Sequence, residues 1–134
     1  NLVREIIRVY VETVAAEPEI YPFVMANSSA SKSKAVADSE RIIAGMLAVM
    51  LRRRMAEAGL DTGGVETWAY MIVGGVQLAT HSWMSHPRMT SADLIDYLTM
   101  LAWNALVGIV EVGGSLEKFN SAPHPSPIVP PRPY

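Results

Sequence analysis

The side chains that could carry chemistry are few, and their spacing is poor for it. His81 and His86 are the closest pair of imidazoles, five residues apart, whereas a helical chelate needs two histidines four apart on one face. His86 also stands before Pro87 in a turn, and the third histidine, His124, lies in a proline-rich stretch. Asp93 and Asp96 could form an acid/base pair, but at the start of a helical pattern they first read as residues that oppose the positive end of the helix dipole. The chain has no cysteine, which removes thiolate nucleophiles, thiolate metal sites and disulfides together. No glycine-rich loop follows a strand. The expectation is therefore no catalytic residue, no metal, no cofactor and no enzyme.

Binding is better supplied than catalysis. Eight methionines are present, and a thioether on an unbranched chain adapts to irregular ligands as readily as it fills a core. Met25, Met46, Met50 and Met71, with Tyr21, Phe23 and Trp68, are the candidate wall of an apolar pocket. A methionine at helical spacing also reads as ordinary core. Gln77 and His81 are the candidate polar groups such a pocket needs; a polar line at a subunit interface or in solvent accounts for them equally well. The reading predicts a cavity near Met46, Met50 and Gln77. Arg52, Arg53 and Arg54 could contact nucleic acid, or simply end a helix where cations oppose its negative pole.

These residues need helices to position them. In 134 residues, 50% are hydrophobic and only 18% charged, with net charge −2 and a pI near 5.9. That balance argues against a nucleic-acid or anionic-membrane surface. The longest unbroken apolar stretches, Ala69–Val76 and Ala105–Val110, fall short of the ~18 residues of a membrane span. Apolar surplus in a chain of this kind is expected to be hidden against another subunit. The absence of cysteine fits a reducing cytoplasm.

Periodicity predicts an all-α fold of five helices, give or take one, in an orthogonal bundle. The first covers about Leu2–Ala16 and stops before Pro18; a short second covers Pro18–Ala26. Asn27–Ser33 reads as a polar loop. A third helix, about Lys34–Ala58, turns Val36, Ile43, Met46, Leu47 and Met50 inward and ends at Gly59. Val65–Ser85 follows, with Val65, Trp68, Ala69, Ile72, Val76, Ala79 and Trp83 on one side and Glu66, Tyr70, Gln77 and His81 along another. Gly74 and Gly75 cost about 1 kcal/mol each against alanine in a helix, so close approach of another helix is expected there. The last helix, about Ser91–Val112, starts from a Thr90 or Ser91 cap and ends at Gly113–Gly114. Its polar residues, Asp93, Asp96, Asn104, Gly108 and Glu111, fill only about a third of its circumference. The last two helices are thus expected to form a four-helix dimer interface through Gly74, Trp83, Leu94, Leu98, Leu101, Trp103, Ala105 and Ile109.

The two ends differ in kind. Asn1 opens directly inside a helical pattern, which leads us to expect further residues upstream. Ser121–Tyr134 holds six of the nine prolines and reads as a tail, either a loosely docked segment or a polyproline ligand. The domain is therefore expected to cover 1–120 and the tail 121–134.

Trp68 to Ile109 resembles the last two helices of TetR-family (tetracycline-repressor-type) regulators. The matching residues are Trp68-Ala69, Val73-Gly74, Val76-Gln77, Trp83 before a His-Pro turn, Asp93-Leu94 and Leu101-Ala102-Trp103. Val14–Asn27 is similar to the stretch after that family's fifth helix, so the resemblance covers most of residues 1–112, the second half more specifically than the first. It implies an effector-binding and dimerisation domain: a homodimer that takes a small apolar or amphipathic inducer. Operator DNA would be met only through an N-terminal helix-turn-helix, which these residues lack. The alternative reading is a ligand-free helical dimerisation or adaptor module.

Overall fold

The computed structural model describes residues 2–16 and 30–133, with side chains placed for 2–16 and 40–133. Among them the fold is all-helical: α1 (Leu2–Ala16), α2 (Ala30–Glu57), α3 (Val65–Ser85), α4 (Ser91–Glu111) and the short α5 (Leu116–Asn120). The expected helix over Pro18–Ala26 lies outside the described residues. α2 begins at Ala30, so the loop expected through Ser33 is shorter. Alanine and lysine are good helix formers, and a polar stretch at a helix start remains compatible with helix.

Each helix end has a local cause. α2 stops at Gly59, which takes φ 73°, while Gly59 N–H donates to the Ala56 carbonyl at 3.0 Å and Leu60 N–H to the Met55 carbonyl at 2.8 Å. That is the Schellman arrangement, which needs a left-handed residue after the last turn. α4 ends the same way at Gly113, φ 63°, with Gly114 N–H reaching the Ile109 carbonyl at 2.8 Å. α4 starts at Thr90, whose hydroxyl accepts from Asp93 N–H at 3.1 Å. α3 ends before Pro87, and there the Trp83 indole N–H donates to the Met89 carbonyl at 2.8 Å, fixing the turn into α4. α5 was not expected. It is one short turn without periodicity, and its single signal is Ser115, which accepts from Lys118 N–H at 3.2 Å.

Among the described residues, two hydrophobic clusters hold the helices together. α1 lies along α4 through Ile7, Val11, Leu94, Ile95 and Ala102, flanked by Val3, Tyr10, Val76, Trp83 and Leu98. α2 lies along α3 through Ala48, Met55, Val65 and Ala69, flanked by Leu47, Leu51, Leu60, Trp68 and Ile109. The direct contact between α3 and α4 is slight by comparison. Two buried hydroxyls are satisfied within their own helices, Thr80 on the Val76 carbonyl and Thr99 on the Ile95 carbonyl, both at 2.7 Å.

The far end of α4 is stitched to the turn between α2 and α3. Asp61 N–H donates to the Gly113 carbonyl at 2.9 Å. Gly114 then passes so close to Asp61 that a Cβ there would collide with its carbonyl oxygen and with Met55 Cε.

The inward face expected of α2 is corrected in part: Leu47 packs against the α2–α3 cluster as expected, and the side chain of Val36 lies outside the described residues. Ala44, Ala48 and Met55 are buried, whereas Ile43, Met46 and Met50 are exposed. Small residues let α2 approach α3 closely, so the contact line runs through alanines, and the larger side chains fall outside it. The close approach expected at Gly74 and Gly75 is also not seen among the described residues. A Cβ at either would meet nothing within 4 Å among the described residues.

Candidate functional site

Two features leave apolar surface uncovered. The first is an open groove of about 940 Å³ along the outer side of α2, lined by Ile42, Gly45, Met46, Val49, Met50, Arg53, Arg54 and Glu57. Every described lining residue belongs to α2, and the line Ile42, Met46, Val49 and Arg53 follows helical spacing. Most of the groove is therefore apolar, and charge gathers at its C-terminal end. Its volume falls within the range of small-molecule sites, roughly 300–1,000 Å³. Ile42 and Met46, each 64% exposed, are its most open apolar residues.

The second is a pair of bare helix faces. On α3, Thr67, Met71, Gly74, Leu78, Ser82 and Ser85 share one side, all exposed and none charged. Met71 is 78% and Leu78 71% exposed. On α4, Tyr97, Leu101, Ala105 and Gly108 share the side turned away from α1, with Leu101 73% exposed. α4 alone among the described residues is long and apolar enough to cross a membrane by length and composition. Unbroken runs had missed this property, because Asp93, Asp96 and Asn104 interrupt the apolar text without lowering its average much. The seam with α1 gives those apolar residues a protein environment on one side.

The expected site residues divide between these places. Met46 and Met50 line the groove, but Gln77 does not; it stands half-buried on α3, as does His81. Among the described residues, Met46 and Met50 thus share the groove on α2 without Gln77. Trp68 is half-buried against the α2–α3 cluster and lies over Gly64. Met71 points outward with the bare face of α3. Tyr21, Phe23 and Met25 lie outside the described residues.

The residues expected at a dimer interface also separate. Leu94 is buried in this chain's own core, and Leu98 and Trp83 pack against the same cluster. Ile109 packs against the α2–α3 cluster. Gly74, Leu101, Trp103 and Ala105 are exposed. Leu78 is not among the residues expected there, although it shares the exposed face of Met71 and Gly74 at i, i+3 and i+7. Ile42, Val49 and Arg53 were likewise unmarked as groove residues, for want of a visible boundary between core and groove in an apolar helix.

Charge is paired on α1. Arg8 donates to Glu12 at 3.1 Å and also bonds Glu5, while Arg4 reaches across to Asp96 on α4. The hydrogen bond and charge of Arg8 hold the Glu5 carboxyl below its ordinary range. By contrast, no ion pair engages Arg52, Arg53 or Arg54 among the described residues. No group of three or more His, Asp or Glu side chains able to hold a metal ion occurs there either.

Among the described residues this geometry is an all-helical fold with an apolar groove on one helix and exposed apolar faces on two others. Comparison with known proteins sharpens the class. The chain is 83% identical over 130 residues to two proteins named uncharacterized HTH-type transcriptional regulators, from two strains of Mycobacterium tuberculosis. The match takes in 97% of this chain but 56% of each relative, so the chain spans little more than half the length of those proteins. No protein-family profile matches it, and no solved structure does.

Proposed function

We propose that this chain is the effector-binding and dimerisation domain, residues 1–120, of a cytoplasmic TetR-type transcriptional regulator. Two copies pair through α3 and α4, and a small apolar or amphipathic inducer binds beside α2. Operator DNA is met by an N-terminal helix-turn-helix outside this sequence. The regulator names of the two relatives and the resemblance of Trp68 to Ile109 support the class.

The observation that carries the reading is the bare, charge-free side of α3 beside the exposed apolar side of α4. Burying a side chain such as Leu78 or Leu101 contributes about 1.5–3 kcal/mol, and a few such residues would hold a dimer. A ligand on the α2 groove could then act only by preferring one arrangement of the helices over another. A small pivot at the dimer would alter the spacing of DNA readers whose half-sites lie ~34–36 Å apart.

Sedimentation equilibrium at micromolar concentration tests the assembly. The expected mass is that of a dimer, falling to a monomer in the double variant Leu78→Glu, Leu101→Glu with helical content unchanged. A monomeric parent chain overturns the reading. The adaptor alternative, dimerisation without a ligand, is favoured by the openness of the groove. It would gain if apolar probes such as 8-anilinonaphthalene-1-sulfonate fail to bind the dimer competitively with any small hydrophobic ligand.

A further inference from the structure

The C-terminal tail offers something that neither helix face does. Ala122–Pro133 forms neither helix nor strand, and every residue in it is exposed, Ile128 at 82%. Its base is fixed: the His124 ring stacks on Phe119 of α5 with centroids 4.0 Å apart. A local clasp follows, in which Ile128 N–H donates to Ser126 Oγ at 3.2 Å. The Ser126 hydroxyl in turn donates to the Ile128 carbonyl at 3.0 Å; beyond this clasp no backbone hydrogen bond reaches the helices among the described residues, so the carbonyls of 129–133 remain open to outside donors.

The order of residues past that clasp is specific. Proline fixes φ near −65°, and a proline-dense segment favours the polyproline II helix, which has three residues per turn. In that helix Pro127, Pro130 and Pro133 form one edge, Ile128 and Pro131 a second, and Val129 and Arg132 the third. Two adjacent apolar edges with a cation at one end are the ligand form recognised by grooves of parallel aromatic side chains. The ridges enter the slots between the rings, ring donors bond the carbonyls, and an acidic residue beside the slots takes the guanidinium. Much of the ordering entropy is already lost in the free tail.

We propose that Pro127–Pro133 is a docking peptide for a second protein that carries an aromatic-lined polyproline groove flanked by a carboxylate. The chain's own apolar surface is the competing occupant. The tail leaves the bare faces of α3 and α4 untouched, and helical ridges lack the three-residue register of its prolines.

The test uses the full chain and a purified SH3 domain that selects Pro-x-x-Pro-x-Arg peptides, followed by NMR shifts of the labelled domain. Binding at the aromatic groove is expected, weakened roughly tenfold or more by Pro127→Ala with Pro130→Ala and by Arg132→Glu, and unchanged by Leu78→Glu. Absence of binding, or binding indifferent to the prolines, overturns the proposal. So does a change in the chain's oligomeric mass on removing 122–134, which would place the tail on a second copy of this chain.

Discussion

The seam between α1 and α4 is filled by Ile7, Val11, Leu94 and Ile95, whereas the seam between α2 and α3 is centred on Ala48 and Ala69 with Val65 and Met55. Side-chain size at a contact sets how far apart two helices sit, so the second seam joins its helices through smaller side chains. Both halves leave large residues outside, Tyr97, Leu101 and Trp103 on α4 and Met46, Met50, Met71 and Leu78 on α2 and α3, but only the first also has bulky residues throughout its seam. The inverted distribution of the second, small within and large without, marks surface held for something other than the chain's own core. The groove and the bare face of α3 lie in this half, while the bare face of α4 lies in the other.

The sharpest way to break the comparison is to truncate a large residue on each side of it. Leu94→Ala removes a buried side chain from the first seam and should cost about 2–5 kcal/mol. Met46→Ala, which removes a comparable side chain from the groove, should change the stability of the chain by within about 0.5 kcal/mol. Urea unfolding followed by circular dichroism measures both. Equal losses would mean that the groove is core after all, and the contrast drawn here would fail.

Much of this architecture is legible in the letters, for identifiable reasons. α1 can be read to the residue because its apolar positions repeat against charged ones and Pro18 follows. The Thr90 cap and the Gly59 and Gly113 stops are read from local chemistry alone. The inward side of α3 is also correct, since Glu66 and Tyr70 mark where outside begins. The burial of α2 is not legible. Ile42, Ile43, Met46, Leu47, Val49 and Met50 surround much of the helix, and periodicity cannot choose among apolar positions. Reasoning by size favours the large residues for the core, while the packing selects the alanines between them. The site inherits that ambiguity: Met46 and Met50 line the groove, whereas Gln77 stands on another helix and is not among its described lining residues.

A smaller effect should come from the stitch that joins the two halves. Gly114 takes φ 69° against the Asp61 carbonyl and Met55. Gly114→Ala should therefore cost about 1–3 kcal/mol from the backbone conformation, with the displaced contacts adding to it. The loss should fall on the α2–α3 seam first, because Met55 is one of its buried residues. Hydrogen exchange would show this as faster exchange of Leu60 and Asp61 amides before those of α1. If α1 opens equally early, the halves unfold as one unit and their separate construction has no energetic meaning.

The smallest expected effect distinguishes the halves by charge rather than by packing. α1 carries Arg8 between Glu5 and Glu12, while Arg52, Arg53 and Arg54 at the end of α2 enter no ion pair among the described residues. Arg8 lowers the Glu5 carboxyl from its ordinary value of 4.5, chiefly through the hydrogen bond and then through its charge. A carboxyl whose folded value is depressed contributes stability that is complete above its unfolded value and is lost as pH falls through the folded one. Glu5→Gln should therefore leave the low-pH end of the stability profile nearly unchanged and lower it slightly at neutral pH, flattening the acid slope below about pH 4.5. The group is fully exposed, and salt should shrink the difference. Neutralising Arg53 or Arg54 should leave that slope as it is, since neither holds a carboxylate. An acid slope that responds to Arg53→Gln and not to Glu5→Gln would move the ionic contribution to the α2–α3 half, where the groove's cations would then be structural and no longer free for a ligand.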